Sequence, residues 1–152
     1  MENIAFASIE DTLYERDYYA WTEQQAALLQ AGRFTEIDLA HLIEEVEDMG
    51  RSQRRAVKSA LVVVLIHLLK YHFQRKHRTQ SWRATLREHR RRLRDEFADS
   101  PSLRPYAEHV FAECYQDARE EAADETGLPF TAFPPVCPFT LAQVLDRNFL
   151  PD

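Results

Sequence analysis

Three side chains could together bind a metal ion. His41 and Glu45 stand four positions apart on one face of a predicted helix, and His67 lies on the following predicted helix. Imidazoles and carboxylates from neighbouring helices form metal centres in helical bundles, so this set allows a metal-dependent enzyme. However, His67 and His72 stand about 140° apart around a helix and cannot both face one site. A hydrogen-bonded core His67 beside solvated acids is therefore the favoured interpretation.

Other signatures of catalysis are weak or missing from the sequence. Cys137 could pair with one of the six histidines as a nucleophile, but no orienting motif accompanies it. Cys114 and Cys137 lack C-x-x-C spacing, which is typical of reduced thiols without a redox role. The sequence contains neither a G-x-G-x-x-G fingerprint nor a P-loop. We therefore assign no catalytic residue, expect no cofactor and regard an enzyme as the less favoured interpretation.

Charge is strongly segregated along the chain. Residues 51–94 hold 14 basic residues against one acid, a net charge of +13, whereas the remainder holds 5 against 24, a net charge of −19. This segment could bind phosphates, with Tyr71 and Trp82 available for base stacking, although the overall charge of −6 argues against a nucleic-acid partner. The candidate binding residues are Lys70, Arg83, Arg87, Arg90, Arg91 and Arg94.

A packing role would explain the same charges and is the favoured alternative. Arginines on the fourth predicted helix and acids on the fifth repeat at the same helical spacing, so the two stripes could face each other. Each exposed ion pair of this kind adds about 0 to 1 kcal/mol to stability. The stripes are Arg83, Arg87, Arg90 and Arg94 on the fourth helix, and Glu113, Asp117, Glu120 and Asp124 on the fifth.

Apolar periodicity predicts five helices and a short sixth, with their apolar faces in the core. Gly32, Gly50 and Gly127 are predicted helix ends, because a left-handed residue that favours glycine commonly follows a helix. Trp82 is predicted to fill the core, and Leu39, Leu42, Ile43, Val46 and Met49 form the apolar stripe of the second helix. The predicted helices are 18–31 after the cap Asp17, 35–49 from Thr35, 51–73, 81–97 capped by Ser81, 100–127 capped by Ser100, and 140–147 with a capping box of Thr140 and Gln143.

These patterns predict an all-α fold, a compact bundle of about five helices in a single domain covering residues 1–152. Residues 1–16 form an N-terminal arm, and the proline-rich segment 128–139 is an ordered loop that packs across the bundle. No basic residue precedes Arg16, and the longest apolar stretch, 61–69, is shorter than the roughly 20 residues that span a bilayer. We therefore expect a cytoplasmic protein without a membrane partner.

An ordered series of short motifs resembles the bacterial family called domain of unknown function 29. The resemblance covers roughly residues 12–152 and implies a small all-helical bundle without an agreed activity, so no catalytic residue is carried over. It also suggests partners in regulatory gene pairs of the toxin–antitoxin kind. The motifs are Tyr19-Ala-Trp21, Leu42-Ile-Glu-Glu45, Met49-Gly50, His67-Leu-Leu-Lys70, Gln74, Ser81-Trp82-x-x-Thr85, Ser100-Pro-Ser-Leu103, Glu125-Thr-Gly-Leu128 and Cys137-Pro138.

The leading interpretation is a non-enzymatic protein-interaction or regulatory module with a protein partner. Its basis is the charge asymmetry, the aromatic-rich C-terminal segment and the lack of a strong catalytic motif. Nucleic-acid binding through residues 51–94 is the alternative, and a metal-dependent enzyme is the third. The sequence does not indicate an oligomeric state, because an apolar helix face serves a core or a dimer interface equally well.

Overall fold

The computed structural model describes residues 12–152, which form six α-helices and no strand. The all-α fold is confirmed. Two short 3-10 turns, Arg75–His77 and Phe130–Ala132, lie in the connections. The helices are α1 (Leu13–Arg16), α2 (Tyr18–Gln30), α3 (Leu39–Phe73), α4 (Gln80–Asp99), α5 (Leu103–Thr126) and α6 (Leu141–Leu145).

The chain divides into two compact units, residues 1–49 and 50–152, and α3 runs through both. The first unit contains α1, α2 and the beginning of α3. The second contains the remainder of α3 with α4, α5 and α6. Of the predicted N-terminal arm, residues 1–11 lie outside the described part, and Leu13–Arg16 form α1. The assignment of one domain to the whole chain stays a prediction.

Helix α3 continues through Gly50, so the predicted break there is wrong. The two helices expected on either side of Gly50 are a single helix of 35 residues. Glycine inside a helix costs only about 1 kcal/mol relative to alanine, which does not end a helix that is hydrogen-bonded on both sides. The start also differs from Thr35, because the carbonyl of Asp38 accepts the first helical bond, from Leu42 N. By contrast, Gly32 and Gly127 have φ values of +70° and +72° and end their helices as predicted.

We expect Gly50→Ala to raise the free energy of unfolding by about 0.5–1 kcal/mol, because alanine favours the helix and its Cβ would meet open space. Gly127→Ala is the control, since its positive φ makes any side chain there strained although space is equally open. Urea unfolding followed by circular dichroism measures both variants. If Gly50→Ala destabilises the chain, the glycine has a role that its open surroundings do not show.

The core of the second unit is centred on the C-terminal part of α3. Val57, Leu61, Val64, Leu65 and Leu68 are fully buried, as the all-round apolar pattern predicted. By length and composition alone, α3 could also cross a membrane, a property it shares with core helices of soluble proteins; half of its most apolar 18-residue window is buried inside the protein. The apolar run 61–69 is shorter than this 18-residue window, because the window also contains small and polar residues.

The N-terminal part of α3 does not bury its predicted apolar stripe. Leu39, Ile43, Val46 and Met49 are each at least half exposed within the described structure. Trp21 and Gln25 of α2 are the buried residues in the described part of the first unit. Helical periodicity thus identified a continuous apolar face correctly but not how much of it is covered.

Helix α4 begins earlier than predicted. Thr79, not Ser81, is the cap, and its side-chain oxygen accepts a hydrogen bond from Trp82 N at 3.2 Å. Leu86 and Leu93 are buried as expected. Trp82 is only partly buried and lies outside the hydrophobic core, with the Lys70 ammonium 4.8 Å from its ring centre, so its assignment to the core is wrong.

Helices α5 and α6 agree with the predictions at three of their four ends. Helix α5 starts at Leu103 instead of after a Ser100 cap, and it ends before the left-handed Gly127. Helix α6 has the predicted capping box, in which Thr140 and Gln143 exchange two hydrogen bonds of 3.0 and 3.1 Å. It ends at Leu145, close to the expected end.

The proline-rich loop 128–139 packs on the helices of its unit. Phe133 is fully buried, and the Tyr115 hydroxyl donates a hydrogen bond of 2.5 Å to the Pro134 carbonyl. The buried guanidinium of Arg119 donates to the Phe133 carbonyl at 3.1 Å and lies 3.8 Å from the centre of the Phe130 ring. Backbone carbonyls that a proline-rich segment cannot pair within itself are satisfied in this way.

Candidate arginine groove

A cavity of about 780 Å³ lies between α4, the start of α5 and the segment that follows α6. We call it the arginine groove, because six of its nine lining residues are arginines and none is acidic. Its α4 arginines follow helical spacing, which places them along one side of that helix. The lining residues are Arg87, Arg90, Arg91, Arg94, Phe97, Arg104, Leu145, Arg147 and Asn148.

Arg90 is the buried member of the groove, with only 4% of its surface exposed. Its guanidinium donates hydrogen bonds to the carbonyls of Val144 at 2.8 Å, Phe149 at 2.9 Å and Gln143 at 3.3 Å. Burial lowers the pKa of this guanidinium, and the charge of Asp146 opposes that shift. Arg90 therefore holds the C-terminal segment that forms one wall of the groove.

The exposed arginines of the groove are poorly neutralised. Within residues 12–152, no carboxylate lies within ion-pair distance of Arg87, Arg91 or Arg147. Arg94 and Arg104 have only long, exposed contacts of 3.9 Å, with Asp95 and Glu108 respectively. These contacts contribute little, so the groove presents a concentrated positive charge.

The predicted pairing of the α4 arginines with the α5 acids is wrong. Among the described ion pairs, none joins α4 to α5, and two acids of α5 pair with lysines of α3 instead. Lys58 pairs with Glu113 at 2.8 Å, and Lys70 pairs with Glu125 at 3.0 Å. Matching spacing on two helices did not determine which helices form ion pairs, because lysines of a third helix, α3, pair with Glu113 and Glu125.

Two of the six candidate binding residues lie outside the arginine groove. Lys70 pairs with Glu125 and contacts Trp82, and Arg83 donates to the Tyr71 hydroxyl at 3.0 Å. The structure brings the other four candidates, Arg87, Arg90, Arg91 and Arg94, together in the groove. It adds residues that the sequence analysis missed, namely Arg104, Arg147, Asn148 and, from the predicted core, Phe97. No sequence signal identifies the first three, since they lie on separate segments.

The proposed metal ligands His41, Glu45 and His67 are not brought together. His41 and Glu45 belong to the first unit, whereas His67 belongs to the second. His67 Nδ1 is hydrogen-bonded to the Val63 carbonyl at 2.8 Å, and burial lowers its pKa, so the imidazole is neutral near pH 7. In the part of the chain that the structure describes, no three His, Cys, Asp or Glu side chains are placed to hold a metal ion.

His41 and Glu45 belong instead to a polar aromatic cluster in the first unit. Both oxygens of Glu45 accept phenolic hydrogen bonds, one from Tyr14 and one from Tyr18 at 2.6 Å. The hydrogen bond to Glu45 raises the pKa of the Tyr14 hydroxyl. His41 Nδ1 lies 2.7 Å from Asp38 Oδ2, and its ring stacks on Tyr14 with centroids 4.0 Å apart. These contacts tie α1 and α2 to α3 and occupy the carboxylates.

The two thiols are poorly suited to act as nucleophiles. Burial raises the pKa of Cys114 to about 11 and also raises the pKa of Cys137. Both thiols therefore remain protonated near neutral pH. They are poor nucleophiles in this state, because the thiolate is the reactive form. These values argue against a Cys-His nucleophile pair.

The fold and the groove define an all-α protein with an arginine-lined surface cavity. Comparison with known families gives a more specific assignment. The model of the family described as Domain of unknown function DUF29 matches residues 13–150. The chain belongs to this family, as its motifs indicated. No curated protein and no solved structure matches the chain.

Proposed function

We propose that this chain is a non-enzymatic interaction module of the bacterial cytoplasm that binds an acidic segment of a partner protein in the arginine groove. The observation that supports it is that six arginines line one cavity, without a lining carboxylate. Such groups recognise carboxylates and phosphates by paired hydrogen bonds. A regulatory role in a gene pair of the toxin–antitoxin kind, which the family resemblance suggests, belongs to the same proposal.

The distribution of the basic residues favours a protein segment over a nucleic acid. Much of the charge in residues 51–94 is used inside the second unit, as the contacts of Lys58, Lys70 and Arg83 show. Arg78 likewise donates to the carbonyls of Tyr71 and Pro151. Other exposed cations of this segment, such as Arg55, Arg75 and Lys76, lie apart from the groove, whereas Arg87, Arg91 and Arg94 lie together in it, on a chain with a net charge of −6. A short acidic segment fits this local charge better than an extended phosphate backbone does.

We expect charge reversal at Arg87 and Arg91 to abolish partner capture while leaving stability nearly unchanged, because both side chains are exposed. The measurement is capture of partners by the tagged chain from its native host at moderate salt, with and without nuclease. The control is charge reversal at Arg75 and Lys76, which alters the net charge equally on an exposed turn outside the groove.

A stoichiometric protein that survives nuclease and is lost only from the Arg87 and Arg91 variant supports the proposal. Recovery that depends on nucleic acid would favour the alternative, binding of nucleic acid by the basic segment. An equal loss of stability and capture in the groove variant would show that these arginines are structural.

A further inference from the structure

We infer that the group recognised in the arginine groove is a phosphoryl group, carried by a phosphorylated serine or threonine of the partner's acidic segment. This inference rests on the proposed function and specifies the chemistry of its ligand. It depends on the number of cations that converge in the groove, on their arrangement along α4 and on the bonding of Arg90.

The charge of the groove exceeds what one carboxylate neutralises. Six arginines line a cavity of about 780 Å³. A carboxylate brings one negative charge, whereas a phosphoserine or phosphothreonine brings about −1.5 to −2 at pH 7 and three strong acceptor oxygens. The larger charge, held in one tetrahedral group, offsets more of the repulsion among the guanidinium groups than a single carboxylate can.

The spacing of the α4 arginines suits a ligand with several acceptor oxygens. Arg87, Arg91 and Arg94 follow one another at four and three positions, so their Cβ atoms are roughly 5–6 Å apart between neighbours. Long side chains at that spacing can converge on one tetrahedral group, and each guanidinium fork pairs with two oxygens. A planar carboxylate accepts one such fork in this way.

Arg90 is the buried arginine among the residues that line the groove. Its hydrogen bonds to three carbonyls use one N–H on each guanidinium nitrogen, and a guanidinium has five N–H groups. Two of its N–H groups are therefore not used in these three bonds. Because Arg90 lines the cavity, an anion bound there would offset the cost of burying its charge.

Apolar side chains in the groove indicate that the phosphoryl group is presented on a chain and is not a free ion. Phe97 and Leu145 line the cavity and are only partly buried by the protein. The Arg104 guanidinium lies 5.8 Å from the centre of the Phe97 ring, which combines cationic and apolar contacts on one wall. Residues flanking a phosphorylated side chain could contact this apolar surface.

Three immobilised peptide pools test the inference, each with the same randomised flanks and a fixed central phosphoserine, glutamate or serine. We expect the wild-type chain to bind the phosphoserine pool roughly tenfold more tightly than the glutamate pool, a difference of about 1.4 kcal/mol. The Arg87→Ala and Arg91→Ala double variant should lose this preference, whereas an Arg75→Ala and Lys76→Ala control should keep it. Thermal unfolding checks that both variants remain folded.

The outcomes separate this inference from the proposed function. Equal binding of the phosphoserine and glutamate pools, both above serine, would overturn the phosphoryl inference and leave the acidic-segment proposal standing. Equal binding of all three pools would overturn both. A single-stranded RNA competitor at matched phosphate concentration gives a further test. The inference would be contradicted if this RNA displaced the phosphoserine pool from the wild-type chain and also bound to the Arg87 and Arg91 double variant.

Discussion

Arg90→Ala should lower the free energy of unfolding by on the order of 3–5 kcal/mol. The change removes three hydrogen bonds from a buried guanidinium and leaves carbonyls of the C-terminal segment without their donor. Hydrogen bonds to charged groups contribute about 1.5–3 kcal/mol each, and partial access of water to the freed carbonyls reduces the total. Chemical denaturation measures the loss.

The matched control for Arg90 is Arg92→Ala on the same helix. Arg92 is exposed and pairs with Glu88 at 2.6 Å, an i, i+4 contact for which we expect a change within about 0.5 kcal/mol. Hydrogen exchange adds a local readout, since the amides of residues 144–150 should exchange faster in Arg90→Ala. If the two variants had similar stability, Arg90 would not be the residue that holds this segment.

Phe133→Ala should cost about 3–5 kcal/mol, the range for removing a fully buried aromatic ring. Phe133 anchors the proline-rich loop, and its ring packs edge-on to Phe73 with centroids 5.3 Å apart. Val136→Ala in the same loop is the control, because Val136 is 79% exposed and its truncation should be nearly neutral.

Calorimetric or urea unfolding compares the two loop variants under the same conditions. A loss within about 1 kcal/mol for Phe133→Ala would mean that the loop rearranges to fill the cavity, and that it is less well anchored than its burial indicates. A large loss of stability with unchanged peptide binding would show that the loop is not needed for binding in the arginine groove, which it does not line.

The predictions that succeeded concern interactions between residues close in sequence. Asp17 caps α2, Thr140 and Gln143 form a capping box, and Gly127 adopts a left-handed conformation. Each of these features depends on hydrogen bonds or backbone preferences within about four residues, so neighbouring residue types are sufficient to predict them. The resemblance to the family likewise depends on short ordered blocks, and the family model matches residues 13–150.

The predictions that failed needed information about competing partners. Gly50 looked like a helix end because glycine favours such positions, yet the residues on both sides continue one helix. Ser81 is the cap that the sequence predicts for α4, and only the three-dimensional structure shows that Thr79 accepts the bond from Trp82 N. Trp82 lies at a core position by periodicity, but Lys70 occupies the space above its ring.

The sequence by itself determined the all-α class, several helix ends and the row of arginines along one side of α4. Only the tertiary structure decided that Arg90 is buried and Arg91 exposed, that two acids of α5 pair with the lysines of α3, and that Arg104 and Arg147 complete a groove. The physical reason is that helical periodicity specifies which side chains share a face. What lies opposite that face depends on the packing of segments that are distant in sequence.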